Sequence, residues 1–84
     1  MRNDEKLESL TQSVCNKMEL VRLKKGYTQR ELSDRMGKYP SQIHVMLSGN
    51  YCPTVRTLHE FAEATNHDLE INFVDRSNNR RTRI

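Results

Sequence analysis

Tyr39, Pro40, Ser41, Gln42, His44 and Val45 stand together in one short stretch, and their types suit the recognition of a patterned surface better than catalysis. Ser41 can donate to or accept from most bases. Gln42 can make a bidentate pair with adenine, His44 can donate to guanine N7 or O6 or to a phosphate, and Val45 offers an apolar surface to a thymine methyl. A second set has phosphate-binding chemistry: Thr28, Gln29 and Arg30, then Lys38, then Asn50, Tyr51, Thr54 and Arg56. Short polar side chains and cations of this kind supply most of the affinity for a nucleic-acid backbone. Both sets act only if rigid elements aim them at one groove.

Those elements are legible between Val21 and Leu58, where two short helices are joined by a tight turn. Gly26 can end one helix; Thr28 is an N-cap, and Glu31 three residues on completes a capping box, so the next helix begins at Gln29. Its buried stripe is Leu32 and Met36, with Arg30, Asp34 and Arg35 in water, and Gly37 can take the left-handed conformation that stops it. A third helix starts at Pro40, a residue suited to a first helical position. Ile43, Met46 and Leu47 share one face and leave Ser41, His44, Val45 and Ser48 on the other. Gly49-Asn50 ends it, and Pro53-Thr54 announces another start. Side chains at the beginning of the third helix are then those placed to meet base edges in a major groove. Gln29, at the N-terminus of the second helix, combines side chain and backbone N–H groups that suit a phosphate oxygen.

The flanking regions follow the same logic. Leu7, Leu10, Val14, Met18 and Val21 recur at spacings of three and four, so a first helix is expected from about Asp4 to Lys25. Residues 1–13 are either an extension of that helix or, if it breaks near Thr11-Gln12-Ser13, a separate arm. Leu7 and Leu10 are expected to add cover to the core, with a subunit contact as the sharper alternative. A fourth helix spans Val55 to Thr65, burying Val55, Leu58, Phe61 and Ala62, and Asn66 tolerates the left-handed turn that closes it. Leu69, Ile71 and Phe73 then alternate with Glu70, Asn72 and Val74, the period of a β-strand. A lone strand cannot satisfy its own backbone groups, and no second strand candidate is visible, so its partner is expected from another copy of the chain. From Arg76 to Ile84 the chain is basic, without apolar pattern or turn chemistry, and is expected to be disordered.

On Leu20-Val21-Arg22, Gly26, Thr28-Gln29, Glu31-Leu32, Gly37, Ile43, Gly49, Leu58 and Leu69-Glu70-Ile71-Asn72-Phe73-Val74-Asp75, the chain resembles the Xre/Cro helix-turn-helix regulators, and within them HipB-type proteins. The resemblance runs from about Cys15 to Asp75. It implies a mainly α, lambda-repressor-like helix-turn-helix bundle of four or five helices, with one C-terminal β-strand pairing between subunits through Leu69, Ile71 and Phe73. It also implies that Ser41, His44 and Val45 lie where base-contacting residues lie, with Gln42 and Tyr39 nearer the groove's edge, and that Gln29 holds a phosphate. Two departures stand out. The family often carries a glutamate where Leu47 stands, paired with the arginine where Arg22 stands, so Arg22 must find another acceptor or lie exposed. HipB-type proteins end in an aromatic tail that their toxin partner binds, whereas this chain ends Arg80-Arg81-Thr82-Arg83-Ile84.

Residues 14–67 are therefore read as a DNA-binding domain, 68–75 as a dimerisation strand and 76–84 as a basic tail. The 84-residue length suits one domain, and the net charge of +3 is modest. No apolar run approaches the roughly 18 residues needed to cross a bilayer, and the charged start is unlike a signal peptide, so the chain is expected in the cytoplasm, away from membranes. The two cysteines, Cys15 and Cys52, and the three histidines, His44, His59 and His67, have no ligand spacing, which leaves no metal or other cofactor expected. Neither a nucleophile–base setting nor a glycine-rich phosphate loop supports an enzyme. Two readings follow: a homodimeric repressor on a palindromic site in double-stranded DNA, acting most simply on its own promoter, or an antitoxin that neutralises a toxin, such as a HipA-like kinase, and represses its own operon.

Overall fold

The computed structural model describes residues 3–76 and 81–83, with side chains from residue 5 to residue 76. In chain order these form α1 (Asn3–Lys25), α2 (Gln29–Met36), α3 (Pro40–Leu47), α4 (Val55–Ala64), β1 (Asn72–Val74) and β2 (Arg81–Arg83). The protein is mainly helical, a lambda-repressor-like helix-turn-helix bundle. Among the described residues no helix is long and apolar enough to cross a membrane.

Three of the four helices stop in the same way. At the end of α1, Gly26 N–H donates to Leu23 O (3.0 Å) and Tyr27 N–H to Arg22 O (3.1 Å), with Gly26 at φ +76°. At the end of α2, Gly37 N–H donates to Asp34 O (3.3 Å) and Lys38 N–H to Ser33 O (2.9 Å), with Gly37 at φ +68°. At the end of α4, Asn66 N–H donates to Glu63 O (3.2 Å) and His67 N–H to Ala62 O (2.7 Å), with Asn66 at φ +60°. Each is a Schellman turn, which satisfies carbonyls the helix would otherwise leave bare and reverses the chain within two residues. The stop signals expected at Gly26, Gly37 and Asn66 occur, whereas α3 closes on Ser48, with Gly49 at φ +91° after it.

The starts are equally local. Thr28 caps α2 through a complete capping box: Glu31 N–H donates to Thr28 Oγ1 (3.0 Å) and Thr28 N–H to Glu31 Oε1 (2.7 Å). Thr54 caps α4 by accepting from Thr57 N–H at 3.1 Å. α3 opens on Pro40, and the N–H of Tyr39 before it donates to Gln42 Oε1 at 2.9 Å.

The core is Cys15 and Met18 of α1, Leu32 of α2, Ile43 and Met46 of α3 and Phe61 of α4, with Val14, Val21, Met36, Leu47, Tyr51 and Leu58 packed around them. Ser33 shares the burial of Leu32, its hydroxyl donating to Arg30 O at 2.7 Å, whereas Met36 is only half-buried. Cys15 is fully buried, and its S–H can donate to Met46 O or Tyr51 O, each 3.4 Å away. One side chain of α1 thus touches both the end of α3 and the loop beyond it. Cys52 is free and exposed.

Several expectations change. α1 is continuous through Thr11-Gln12-Ser13, so the N-terminal residues described extend the helix and form no separate arm. Leu7 and Leu10 are 54% and 57% exposed and add no cover to the core, because α1 is longer than the bundle it packs on. Val55 is exposed also, since as the first residue of α4 it precedes the packed face. The chain does supply a second strand: β1 pairs antiparallel with β2, Asn72 opposite Arg83, Phe73 opposite Thr82 and Val74 opposite Arg81. The basic tail therefore has structure at Arg81–Arg83, and the strand expected over Leu69–Val74 is confined to Asn72–Val74. Arg81-Thr82-Arg83 escaped the sequence reading because it carries no apolar alternation. Its partner buries little that would demand one, with Phe73 62% exposed. Residues 77–80 and 84 of the expected tail, and residues 1 and 2, lie outside the described residues.

Arg22 finds its acceptors close by. Its Nε donates to Glu19 Oε1 (2.9 Å), its Nη2 to Glu19 Oε2 (2.5 Å) and its Nη1 to Tyr27 O (2.6 Å). The guanidinium is spent on a bidentate pair within α1 and on the carbonyl that precedes the cap of α2. These bonds, helped by the charge of Arg22 and opposed by partial burial, hold the Glu19 carboxyl below its ordinary 4.5. The pair in turn raises the Arg22 guanidinium above its ordinary value, partial burial opposing it.

Two predictions follow from these terminations. Gly37→Ala meets nothing within 4 Å, so its cost is that of an L-residue at positive φ, about 1–2 kcal/mol, which lowers the Tm by roughly 4–16 °C in a domain of this size. Because the folded pKa of Glu19 is depressed, its contribution is complete above about pH 4.5 and fades as pH falls through the folded value. Thermal unfolding of wild type and Glu19→Gln should therefore differ by a constant amount, at most about 1 kcal/mol for so open a pair, at pH 7 and 5.5, and converge as the pH falls through the folded value.

Candidate nucleic-acid interface

α2 and α3 are held at a fixed angle by the turn Gly37-Lys38-Tyr39 and by the contact of Leu32 with the Ile43 side of α3, both residues fully buried. With Ile43 and Met46 turned into the core, the 3.6-residue period leaves Ser41, Gln42, His44 and Val45 outside. Val45 is 51% exposed and Tyr39, at the helix start, 76%. An exposed β-branched residue in mid-helix has no packing role on this surface, and a thymine methyl is a suitable partner for it. Pro40 is exposed at the first position and fixes the backbone there more than it offers a contact.

Gln42 is not wholly free to read a base. Its Oε1 already accepts from Tyr39 N–H, which leaves one lone pair on that oxygen and the two donors of the amide NH2. A bidentate pair with adenine must share that oxygen with the cap, whereas a single bond donated by the NH2 need not.

The phosphate set divides by environment. Gln29 and Arg30 occupy the first two positions of α2, whose N–H groups have no acceptor within the helix; Gln29 is half-buried and Arg30 exposed. Thr28 spends a lone pair on Glu31 N–H and keeps its O–H. Asn50 and Arg56 are exposed. Thr54 is exposed but its oxygen is occupied in the cap of α4, and Tyr51 is half-buried against the core with its hydroxyl 3.5 Å from Thr57 Oγ1. Lys38 is half-buried, its Nζ 3.1 Å from Glu60 Oε1 of α4.

One concavity gathers members of both sets: Lys38, Ser41, Gln42, Val45, Met46, Tyr51 and Thr57 line a cleft between α3 and the start of α4. Thr57 was not evident from sequence. Its hydroxyl lies 3.1 Å from Thr54 Oγ1, and the i,i+3 pair Thr54–Thr57 was the available signal. Glu60 was missed for a different reason, since only the fold brings α4 against the turn. His44 and Arg30 lie outside this cleft, on the adjoining exposed faces. Leu69, Ile71 and Phe73 are all exposed and belong to no part of this surface.

A helix-turn-helix family model matches residues 18–71, well over half the chain. The chain belongs to the helix-turn-helix family. The match is to the Xre/Cro-like type found in transcriptional regulators, and the protein is a DNA-binding regulator of that kind. No curated protein and no solved structure gave a significant match. Every residue of the two sets above, from Thr28 to Arg56, falls inside the matched region of this helix-turn-helix protein, whereas Phe73 and both strands fall beyond it.

The two sets should separate by experiment. Val45→Ala or His44→Ala should change base preference at one position of each bound recognition sequence, at a cost on the order of 1–3 kcal/mol, whereas Gln29→Ala should weaken all duplexes about equally. Binding titrations against a panel of single-base variants check this; uniform losses from both kinds of variant would refute the assignment of reading residues.

Proposed function

We propose that this helix-turn-helix protein is a sequence-specific repressor that binds double-stranded DNA as a homodimer, each α3 entering one of two major grooves about 34 Å apart on a palindromic site. Occupation of a promoter, most simply its own, would exclude polymerase. We take it to act by binding and not by catalysis. The observation that carries this reading is the exposure of Ser41, His44 and Val45 on the face of α3 opposite Ile43 and Met46. A buried structural helix has no use for that arrangement.

Dimerisation is supported by unpartnered backbone and by apolar exposure. β1 pairs with β2 on one side only among the described residues, and Leu69, Ile71 and Phe73 stand exposed in and before it. The open edge of β1 suits addition of a strand from a second copy. The alternative of an antitoxin with autoregulation rests on the resemblance to HipB-type proteins, and the neighbouring reading frame decides it: a toxin there favours the antitoxin.

Selection of bound sites from random duplex DNA, together with sedimentation of the free protein, tests the proposal. The expected result is an inverted repeat with half-site centres 10–10.5 base pairs apart, or a multiple of that, and a dimer at micromolar concentration. Enrichment of a single unrepeated half-site by a monomer would refute the homodimer, and absence of any enriched sequence would refute the operator.

A further inference from the structure

Lys38 stands in the turn between α2 and α3, and its ammonium reaches α4. Nζ lies 3.1 Å from Glu60 Oε1, and both side chains are mostly shielded, at 28% and 35% exposure. That oxygen is buried, and among the described residues it has no hydrogen bond of good geometry, so the charge of Lys38 is what compensates it. Lys38 also lines the cleft that holds Ser41, Gln42, Val45, Tyr51 and Thr57. A lysine on a turn would ordinarily sample many rotamers, and ordering it on binding has an entropic cost.

We propose that Glu60 is a positioning residue for DNA binding that acts through Lys38, holding the ammonium at the rim of the cleft beside the residues that read bases. An ammonium has three N–H donors, and an ion pair with Glu60 on one side leaves N–H groups for a phosphate oxygen. Phosphate contacts fix the register of the recognition helix, and base contacts form only when the register is right. Glu60 therefore favours cognate over unrelated DNA even though its own charge repels both. That opposition of signs makes the idea testable. It rests on the operator reading above.

Wild type, Glu60→Gln, Glu60→Asp, Lys38→Gln and the double variant Lys38→Gln/Glu60→Gln would be titrated with the site enriched from random duplex and with an unrelated duplex of equal length, thermal unfolding being followed alongside. Glu60→Gln should reduce the ratio of specific to non-specific affinity about five- to tenfold, while affinity for the unrelated duplex holds or rises, since a negative charge has gone. Glu60→Asp should give an intermediate ratio. Lys38→Gln should lower the ratio comparably, and the double variant no further, because Glu60 then has nothing to position. An unchanged ratio with both affinities raised would make Glu60 a mere repulsive charge and overturn the proposal. Both affinities falling together would make it structural and overturn the proposal equally, as would a further loss in the double variant. A wild-type protein that enriches no site overturns the operator reading itself, a failure seen before any variant is made.

Discussion

With φ at +68°, Gly37 lets the chain leave α2 through two hydrogen bonds, and only Lys38 and Tyr39 remain before Pro40 sets the first turn of α3. So short a connection, closed at one end by a left-handed residue and at the other by a locked φ, leaves the angle between α2 and α3 little freedom. The burial of Leu32 and Ile43 on facing sides, the outward direction of Ser41 and Val45, and the position of Lys38 against Glu60 all depend on that angle. An L-residue at Gly37 can be accommodated only by strain or by rotation of α3.

The rest of the bundle stiffens this unit from behind. Cys15 and Met18 of α1 pack on α3, and the Cys15 S–H reaches carbonyls on either side of Gly49. Arg22 joins Glu19 to the Tyr27 carbonyl, one residue before the cap of α2, so α1 determines where α2 starts as well as what it packs on. A glutamate at the place of Leu47 would have tied this arginine to α3. Here Leu47 is half-buried at the edge of the core, and Arg22 serves the connection before α2 instead.

The helix boundaries were legible because their signals are local: a threonine with a glutamate three residues on, a proline, two glycines and an asparagine, each acting within one turn. The outward set on α3 was legible for the same reason, since once Pro40 starts the helix the period assigns each side chain a face. What escaped depends on tertiary distance. Glu60 looks like any solvated residue of an amphipathic helix until the fold places it beside Lys38. Gln42 reads as a free amide until its bond to Tyr39 is seen. Arg81–Arg83 lacks the alternation that identifies a strand, because pairing in a two-stranded hairpin can proceed through the backbone alone. Leu7 and Leu10 have a core-like spacing, yet periodicity states which face is apolar and not whether anything covers it.

The prevalence of Schellman turns bears on how the chain acquires its structure as well as on how it is held. When α1, α2 and α4 each end on contacts made within six residues, and α2 and α4 begin on caps of equal locality, helix limits are set before distant segments meet. The search that remains is docking of preformed rods joined by short connections, which places the helical domain in the microsecond-to-millisecond range of low-contact-order bundles. The β1–β2 pairing lies outside that core. Such a chain can complete its helical domain well within the time needed to synthesise it.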